Sequence, residues 1–273
     1  MDLVFYKMQG SGNDFILFDL NSVPVNISQM SAWAKKLCQR CFGVGADGLI
    51  FLEEVRNGEI DFKWHFYNAD GTKAEMCGNG ARCAAWLANY LGLAGKEQAF
   101  LTEAGVIHAE IVKENEVKVE LTEPKDLKLD VKIFIDENDF NIHYVNTGVP
   151  HVVFFTENIK EIDVNKIGRR IRFHDYFSPS GSNVNFVQIV KKDFILLRTY
   201  ERGVENETYA CGTGAAASVY VGFALGLLNR EVNVVTSGGE KLKIFLQGER
   251  IFLQGKTILV YKGFLNKKIL ENI

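Results

Sequence analysis

Two cysteines occupy the same short context, Cys77-Gly-Asn-Gly-Ala and Cys211-Gly-Thr-Gly-Ala, 134 residues apart. Each follows a strand-like run and a turn, and each opens a stretch of small and apolar residues (81–91 and 215–228) that reads as a helix with no polar face, which must be enclosed by protein. The first turn of a helix presents unpaired N–H groups and the positive end of the helix dipole. It therefore attracts anions and makes a thiol there easier to ionise. Glycines at 78, 80, 212 and 214 let backbone approach a ligand closely. One such cysteine could be a nucleophile, a redox thiol, or an inert residue in a tight strand-to-helix turn. Two at matched positions read as a pair acting on one substrate from opposite sides, facing each other across a carbon. A thiolate would take a proton from one face and a thiol would return one to the other. The α-hydrogen of an amino acid suits such a pair. Its carbanion-like transition state needs the α-carboxylate held by preorganised N–H groups, which two helix N-termini supply.

The elements that must position these thiols are mostly strands. Alternating or β-branched runs fall at 3–8, 14–20, 49–55, 61–67, 109–112 and 116–121, and again at 143–155, 184–190, 194–200, 231–236, 241–246 and 251–261. Besides the two apolar helices, 28–40 reads as a helix capped by Ser28, and 163–171 as one capped by Asp163. Aligning 77–93 with 211–227 gives seven identities in 17 positions, and the same offset pairs Thr102 with Thr236 and Gly105 with Gly239. An offset of about half the chain implies a duplicated unit. The expected fold is α/β (α+β): two pseudo-symmetric domains, each a curved, mostly antiparallel sheet rolled around a central buried helix. The divide is expected in the acidic, strand-poor stretch 124–137, giving domains 1–128 and 129–273, with the extreme C-terminus packing back on the first.

Composition narrows the function. The chain has 273 residues, 47% hydrophobic and 24% charged, with net charge −3 and no basic cluster, so nothing recruits nucleic acid or an anionic membrane. The N-terminus lacks a signal-peptide pattern, and the apolar stretch 215–228 is shorter than a bilayer requires. Five cysteines at irregular spacing argue against a disulfide scaffold and for a reducing cytoplasm. Cys38-x-x-Cys41 lacks the further ligands of a zinc site and reads as packing thiols at a helix end, and Cys83 reads as core. Neither Gly-rich stretch completes a dinucleotide or P-loop motif, so neither NAD nor ATP is expected, and with no zinc ligand set no metal is expected. His151 is read either as a satisfied structural histidine or as a group behind a thiol that tunes it.

The blocks MQGSGNDF (8–15), YNADGTKAEMCGNGARC (67–83), TGVPH (147–151), NVNF (183–186) and YERGVENETYACGTGAAAS (200–218) span nearly the whole chain. In this order they closely resemble the diaminopimelate epimerase family. The resemblance implies a cofactor-independent enzyme interconverting LL- and meso-2,6-diaminopimelate for lysine and peptidoglycan precursors, with the site in the cleft between the two domains. Cys77 and Cys211 match the catalytic thiols. Asn13, Asn68, Gly78, Asn79, Asn185, Glu201, Arg202, Gly212 and Thr213 match substrate-binding positions. Two departures are Gly48, where some members place a substrate-contacting Gln, and Val149, where many have Asn. The expected partners are the small-molecule substrate and a second copy of the chain, as a homodimer. The alternatives are a proline or hydroxyproline racemase, whose first motif usually has His in place of Asn79, and a single-cysteine hydrolase, which would leave the second motif without a role.

Overall fold

A computed structural model describes residues 3–55, 58–135 and 138–270. Asp136 and Glu137, at the end of the expected dividing stretch, lie outside them. The chain forms two compact units, Met1–Val119 with Gly255–Ile273, and Glu120–Gln254. The changeover at 119/120 places the strand that contains residue 128 wholly in the second unit.

The first unit contains β1 (Leu3–Gly10), β2 (Asn13–Asp19), α1 (Ile27–Leu37), β3 (Gly48–Glu54), β4 (Phe62–Asn68), α2 (Gly78–Leu91), β5 (Glu97–Thr102), β6 (Gly105–Lys113) and β7 (Glu116–Glu120). β1 and β2 form a hairpin in which Gly10 faces Asn13. Its two turn residues, Ser11 and Gly12, both have positive φ, the geometry that matches strand twist. β2 runs parallel to β3 across the α1 crossover, β3 antiparallel to β4, and β4 parallel to β5 across the α2 crossover. β5, β6 and β7 then meander antiparallel.

The second unit contains β8 (Lys125–Ile135), β9 (Asn138–Asn146), β10 (Pro150–Phe155), α3 (Val164–Arg172), β11 (Asn183–Lys191), β12 (Phe194–Glu201), β13 (Asn206–Thr208), α4 (Gly212–Ala224), β14 (Glu231–Thr236), β15 (Lys241–Gln247) and β16 (Arg250–Lys256). β9 to β10 is antiparallel, β10 to β11 parallel, β11 to β12 antiparallel and β12 to β14 parallel, with β15 and β16 following antiparallel. That is the pairing sequence of β1 to β7, with the short β13 added on β12. In the second unit β8 pairs antiparallel with β9; in the first, β1 has the same antiparallel flank from β17 (Ile258–Leu265). The repeat read from two Cys motifs thus extends to the strand pairings of both units, β13 apart.

Each sheet is mostly antiparallel and carries helices on both faces. In the first unit Ile16, Phe18, Leu49 and Phe51 pack with Met30, Trp33 and Leu37 of α1. The alternate residues Phe15 and Ile50 lie under Gly80 of α2. Burial on both faces is why 15–18 and 49–52 are continuous apolar runs instead of alternating ones. In the second unit α3 packs through Val164 and Ile171 on Val152, Val184, Phe186 and Tyr200.

Several boundaries differ from the sequence reading. α1 begins at Ile27 with Asn26 as its cap, the Asn26 N–H donating to Gln29 Oε1 (3.3 Å), so Ser28 lies inside the helix. Asp163 does cap α3, accepting from the Lys166 N–H at 3.0 Å. α4 stops at Ala224, where Gly226 turns left-handed. The run 143–155 is two strands broken at Gly148, and 251–261 is two strands broken at Thr257. The stretch read as strand-poor is largely β8, the longest strand described.

Candidate active site

Cys77 is the N-cap of α2 and Cys211 the N-cap of α4. Both are extended in backbone, and neither gives its helix a side-chain cap hydrogen bond. A Ser or Asp there would occupy the first N–H groups; cysteine does not. Cys77 is half-buried and Cys211 buried.

In the first unit the hairpin turn brings Asn13 to Cys77, with the Asn13 Oδ1 3.7 Å from Sγ. The Asn13 amide Nδ2 donates to Asp47 Oδ2 at 2.6 Å. Behind it is a charge network that the sequence reading missed. Arg40 grips Asp14 with two bonds (3.2 and 2.7 Å) and reaches Asp47 at 3.0 Å. Lys7 pairs with Asp14 at 2.6 Å and also donates to the Gly45 carbonyl. Asp14 and Asp47 bond each other's backbone N–H groups, both at 3.1 Å. Arg82, fully buried, donates to Ser11 Oγ (2.7 Å), Asn79 Oδ1 (3.0 Å) and the Gly78 carbonyl (3.2 Å). It ties the hairpin turn to the first turn of α2. It was visible as the one charge in an otherwise apolar helix. Asn68, exposed at the end of β4, donates to Thr72 Oγ1 at 3.0 Å within the loop leading to Cys77.

Burial alone would raise the Asp14 carboxyl, but hydrogen bonds from Arg40 and Lys7 and the Lys7 charge outweigh it and hold it down to about 2. Its ionised form therefore stabilises the fold above the usual carboxylate pKa, and that contribution drains away as pH falls from about 4 towards 2. Wild type should lose about 1–2 kcal/mol more than Asp14→Asn over that window, after allowing for solvent screening. Denaturant unfolding of both proteins at pH 7 and at the acid end checks this; equal losses would mean the network is only a solvated cluster.

In the second unit a chain of hydrogen bonds ends at Cys211. Asn185, with no exposure, donates through Nδ2 to the Val152 carbonyl (2.9 Å) and to His151 Nδ1 (3.1 Å), and accepts from Thr199 Oγ1 at 3.0 Å. His151 Nε2 meets Thr213 Oγ1 at 3.0 Å, and Thr213 Oγ1 lies 3.6 Å from Cys211 Sγ. Burial, helped by the Arg202 charge, pushes the His151 ring down to about 3, so it is neutral at ordinary pH. Asn185 thus has its polar groups satisfied inside the protein and orients His151. Gly214 is required here, because a Cβ would fall 2.2 Å from Asn185 Oδ1 and 3.2 Å from Cys211 Sγ.

Glu201 ends β12 with its carboxyl raised by burial. The next residue, Arg202, donates its backbone N–H to Asn183 Oδ1 (2.8 Å), while its guanidinium reaches only the Ser180 carbonyl, at 3.4 Å. Among the described residues Arg202 makes no ion pair. Gly212 and Thr213 form the first turn of α4, and Gly78 and Asn79 that of α2.

The other singled-out positions resolve simply. At Gly48 a Cβ would sit 2.6 Å from the Phe66 ring and 3.0 Å from the Tyr67 carbonyl, so this packing leaves no room for a side chain. Cys38 is buried, which pushes its thiol up to about 12; Cys41 is exposed and is not a packing thiol. Cys83 is fully buried, its thiol also pushed up to about 12, 3.0 Å from Thr257 Oγ1. Among the described residues no group of three or more His, Cys, Asp or Glu stands where it could hold a metal ion. No helix there is long and apolar enough to cross a membrane.

Known proteins resemble this chain in fold and in sequence. A solved structure described as a "probable proline racemase" from Agrobacterium radiobacter K84 superposes with TM-score 0.70 at 14% identity, covering 99% of this chain and 94% of that one. A phenazine biosynthesis protein of the PhzF family from Bacillus anthracis gives TM-score 0.71 at 14% identity, covering 97% and 99%. At those identities the likeness is one of fold. In sequence the chain is 45% identical to a diaminopimelate epimerase of Hydrogenobaculum sp. (strain Y04AAS1), over 98% of this chain and 100% of that protein. It is 44% identical to one from Aquifex aeolicus (strain VF5), over 98% and 99%. The model of the family described as diaminopimelate epimerase matches residues 5–127 and 143–260. A match over most of both units, with relatives alike from end to end, makes this chain a member of the diaminopimelate epimerase family.

Proposed function

We propose that the protein is an isomerase that inverts one α-carbon of 2,6-diaminopimelate, interconverting the LL and meso forms with Cys77 and Cys211 and no cofactor. The observation that carries it is a cysteine, not a capping residue, at the start of the buried helix in each of two units with the same strand pairings. One thiolate removes the α-proton while the other thiol delivers its proton to the opposite face. The proton count is unchanged, and the thiol and thiolate exchange places. The N–H groups of Gly78, Asn79, Gly212 and Thr213 hold the α-carboxylate as charge builds on the carbon. Asn13 and Asn68 add neutral polar contacts, while Asn185 and His151 act from behind Thr213. Glu201 and Arg202 meet the ammonium and carboxylate of the far end, which a diamino-dicarboxylate has and proline lacks. The product serves lysine and peptidoglycan precursor synthesis. We place the enzyme in the cytoplasm, supported by five free cysteines, and working as a homodimer.

Incubation in D₂O with diaminopimelate and, separately, with proline tests this. Deuterium should enter the α-carbon of diaminopimelate with inversion and should not enter proline. Exchange into proline would favour the racemase alternative, and hydrolysis without exchange would favour a single-cysteine enzyme.

A further inference from the structure

We infer that the two thiols are unequal at rest: Cys211 holds the thiolate and Cys77 holds the proton, each fixed by the polarity of the hydrogen bond its own unit aims at the sulfur. The inference rests on the two-base reading above and assigns the charge within it.

Around Cys77 the polarity follows from Asp47. A carboxylate only accepts, so the Asn13 NH₂ group must lie on its side, at 2.6 Å from Oδ2. The amide carbonyl is left facing Cys77 Sγ at 3.7 Å. Asp47 is itself held by Arg40 at 3.0 Å and by the Asp14 N–H at 3.1 Å. A carbonyl oxygen accepts from S–H and repels a thiolate, so this contact favours the protonated form. The opposing influence is Arg82, a positive charge on the helix that Cys77 caps. Its described bonds go to Ser11, Asn79 and the Gly78 carbonyl.

Around Cys211 the chain runs the other way. The Val152 carbonyl only accepts, which fixes the Asn185 NH₂ group towards it at 2.9 Å and directs the second hydrogen to His151 Nδ1 at 3.1 Å. With Nδ1 accepting, the neutral ring carries its hydrogen on Nε2 and donates to Thr213 Oγ1 at 3.0 Å. The hydroxyl, already accepting, has its own hydrogen for Cys211 Sγ, 3.6 Å away. Thr147 Oγ1 fixes the same residue by donating to the Thr213 carbonyl at 3.0 Å. The charged residues flanking this chain are Glu201 and Arg202, and the latter depresses His151 further and so keeps the ring a one-proton relay. A donor aimed at sulfur favours the thiolate. Asp47 and His151 are therefore positioning residues that act through Asn13 and Thr213.

The resting charge is read on the ligand-free protein at pH 7, without reference to turnover. Thiolate ultraviolet absorbance should persist in Cys77→Ala and vanish in Cys211→Ala. It should fall in Thr213→Val and be kept in Thr213→Ser. In the unmutated protein, iodoacetamide labelling resolved by peptide should proceed about ten-fold faster at Cys211 than at Cys77, although Cys211 is the more buried. Absorbance that survives only in Cys211→Ala, is equal in both variants or is absent from both would overturn the assignment, as would faster labelling of Cys77. A reversed result would leave the epimerase reading standing. A Cys211 thiolate in an enzyme that exchanges no α-hydrogen would instead remove that reading while keeping the assignment.

Discussion

Cys77→Ala and Cys211→Ala should each lower epimerisation of diaminopimelate by about 10³-fold or more, because each direction of the reaction needs one thiol as base and the other as acid. Folding should be almost untouched. Neither cysteine gives its helix a side-chain cap bond, so alanine removes no hydrogen bond from the helix end. Substrate affinity should survive within a few-fold, since the backbone donors of Gly78, Asn79, Gly212 and Thr213 stay in place. Cys83→Ala is the informative control. It removes the buried contact with Thr257 Oγ1 and should cost about 1–2 kcal/mol of stability while leaving turnover near normal. Initial rates, equilibrium binding and denaturant unfolding on the three variants check this set. A folded Cys83→Ala protein as inactive as the other two would break the separation of reactive from core thiols.

Arg202→Met should lose about 2–5 kcal/mol of transition-state binding, the scale for removing one partner of a desolvated charge pair. The side chain contributes little to the fold. Its backbone N–H bond to Asn183 is kept by methionine, and among the described residues the guanidinium makes only a long contact with the Ser180 carbonyl. Glu201 beside it has a carboxyl raised by burial, so a bound ammonium would draw it back towards the ionised form. The loss should therefore appear in kcat/KM for diaminopimelate with unfolding midpoints unchanged. Near-normal kcat/KM would mean that the far end of the substrate is read elsewhere.

The two helix starts were legible because a repeated Cys-Gly-x-Gly leaves an identical trace at one offset, and helix ends carry local signals. What the thiols touch was not. Asn13 and Asp47 are 34 residues apart and His151 and Thr213 are 62 apart, and only the strand pairings bring them together. Lys7 and Asp14 were hidden because charges inside apolar runs look like ordinary strand faces. β8 was missed for the opposite reason. Its apolar positions at 127, 129, 131, 133 and 135 do alternate, but intervening charges and two positive-φ aspartates, Asp126 and Asp130, break the pattern. The division at 143–155 had its signal in Gly148 and Pro150, which should have outranked the apolar run around them.

The position of β17 bears on how the chain matures. β8 stands immediately before its partner β9, but β1 waits for residues 258–265 before its outer flank is paired. During synthesis the middle of the chain can finish its own sheet while the first-made unit still has a bare strand edge and an open place beside Cys83 for Thr257. That edge is a liability for as long as residues 258–265 have not left the ribosome. A circular permutant that begins near residue 255 and links residue 273 to residue 1 would make β17 before β1, and it should aggregate less during synthesis than the present order.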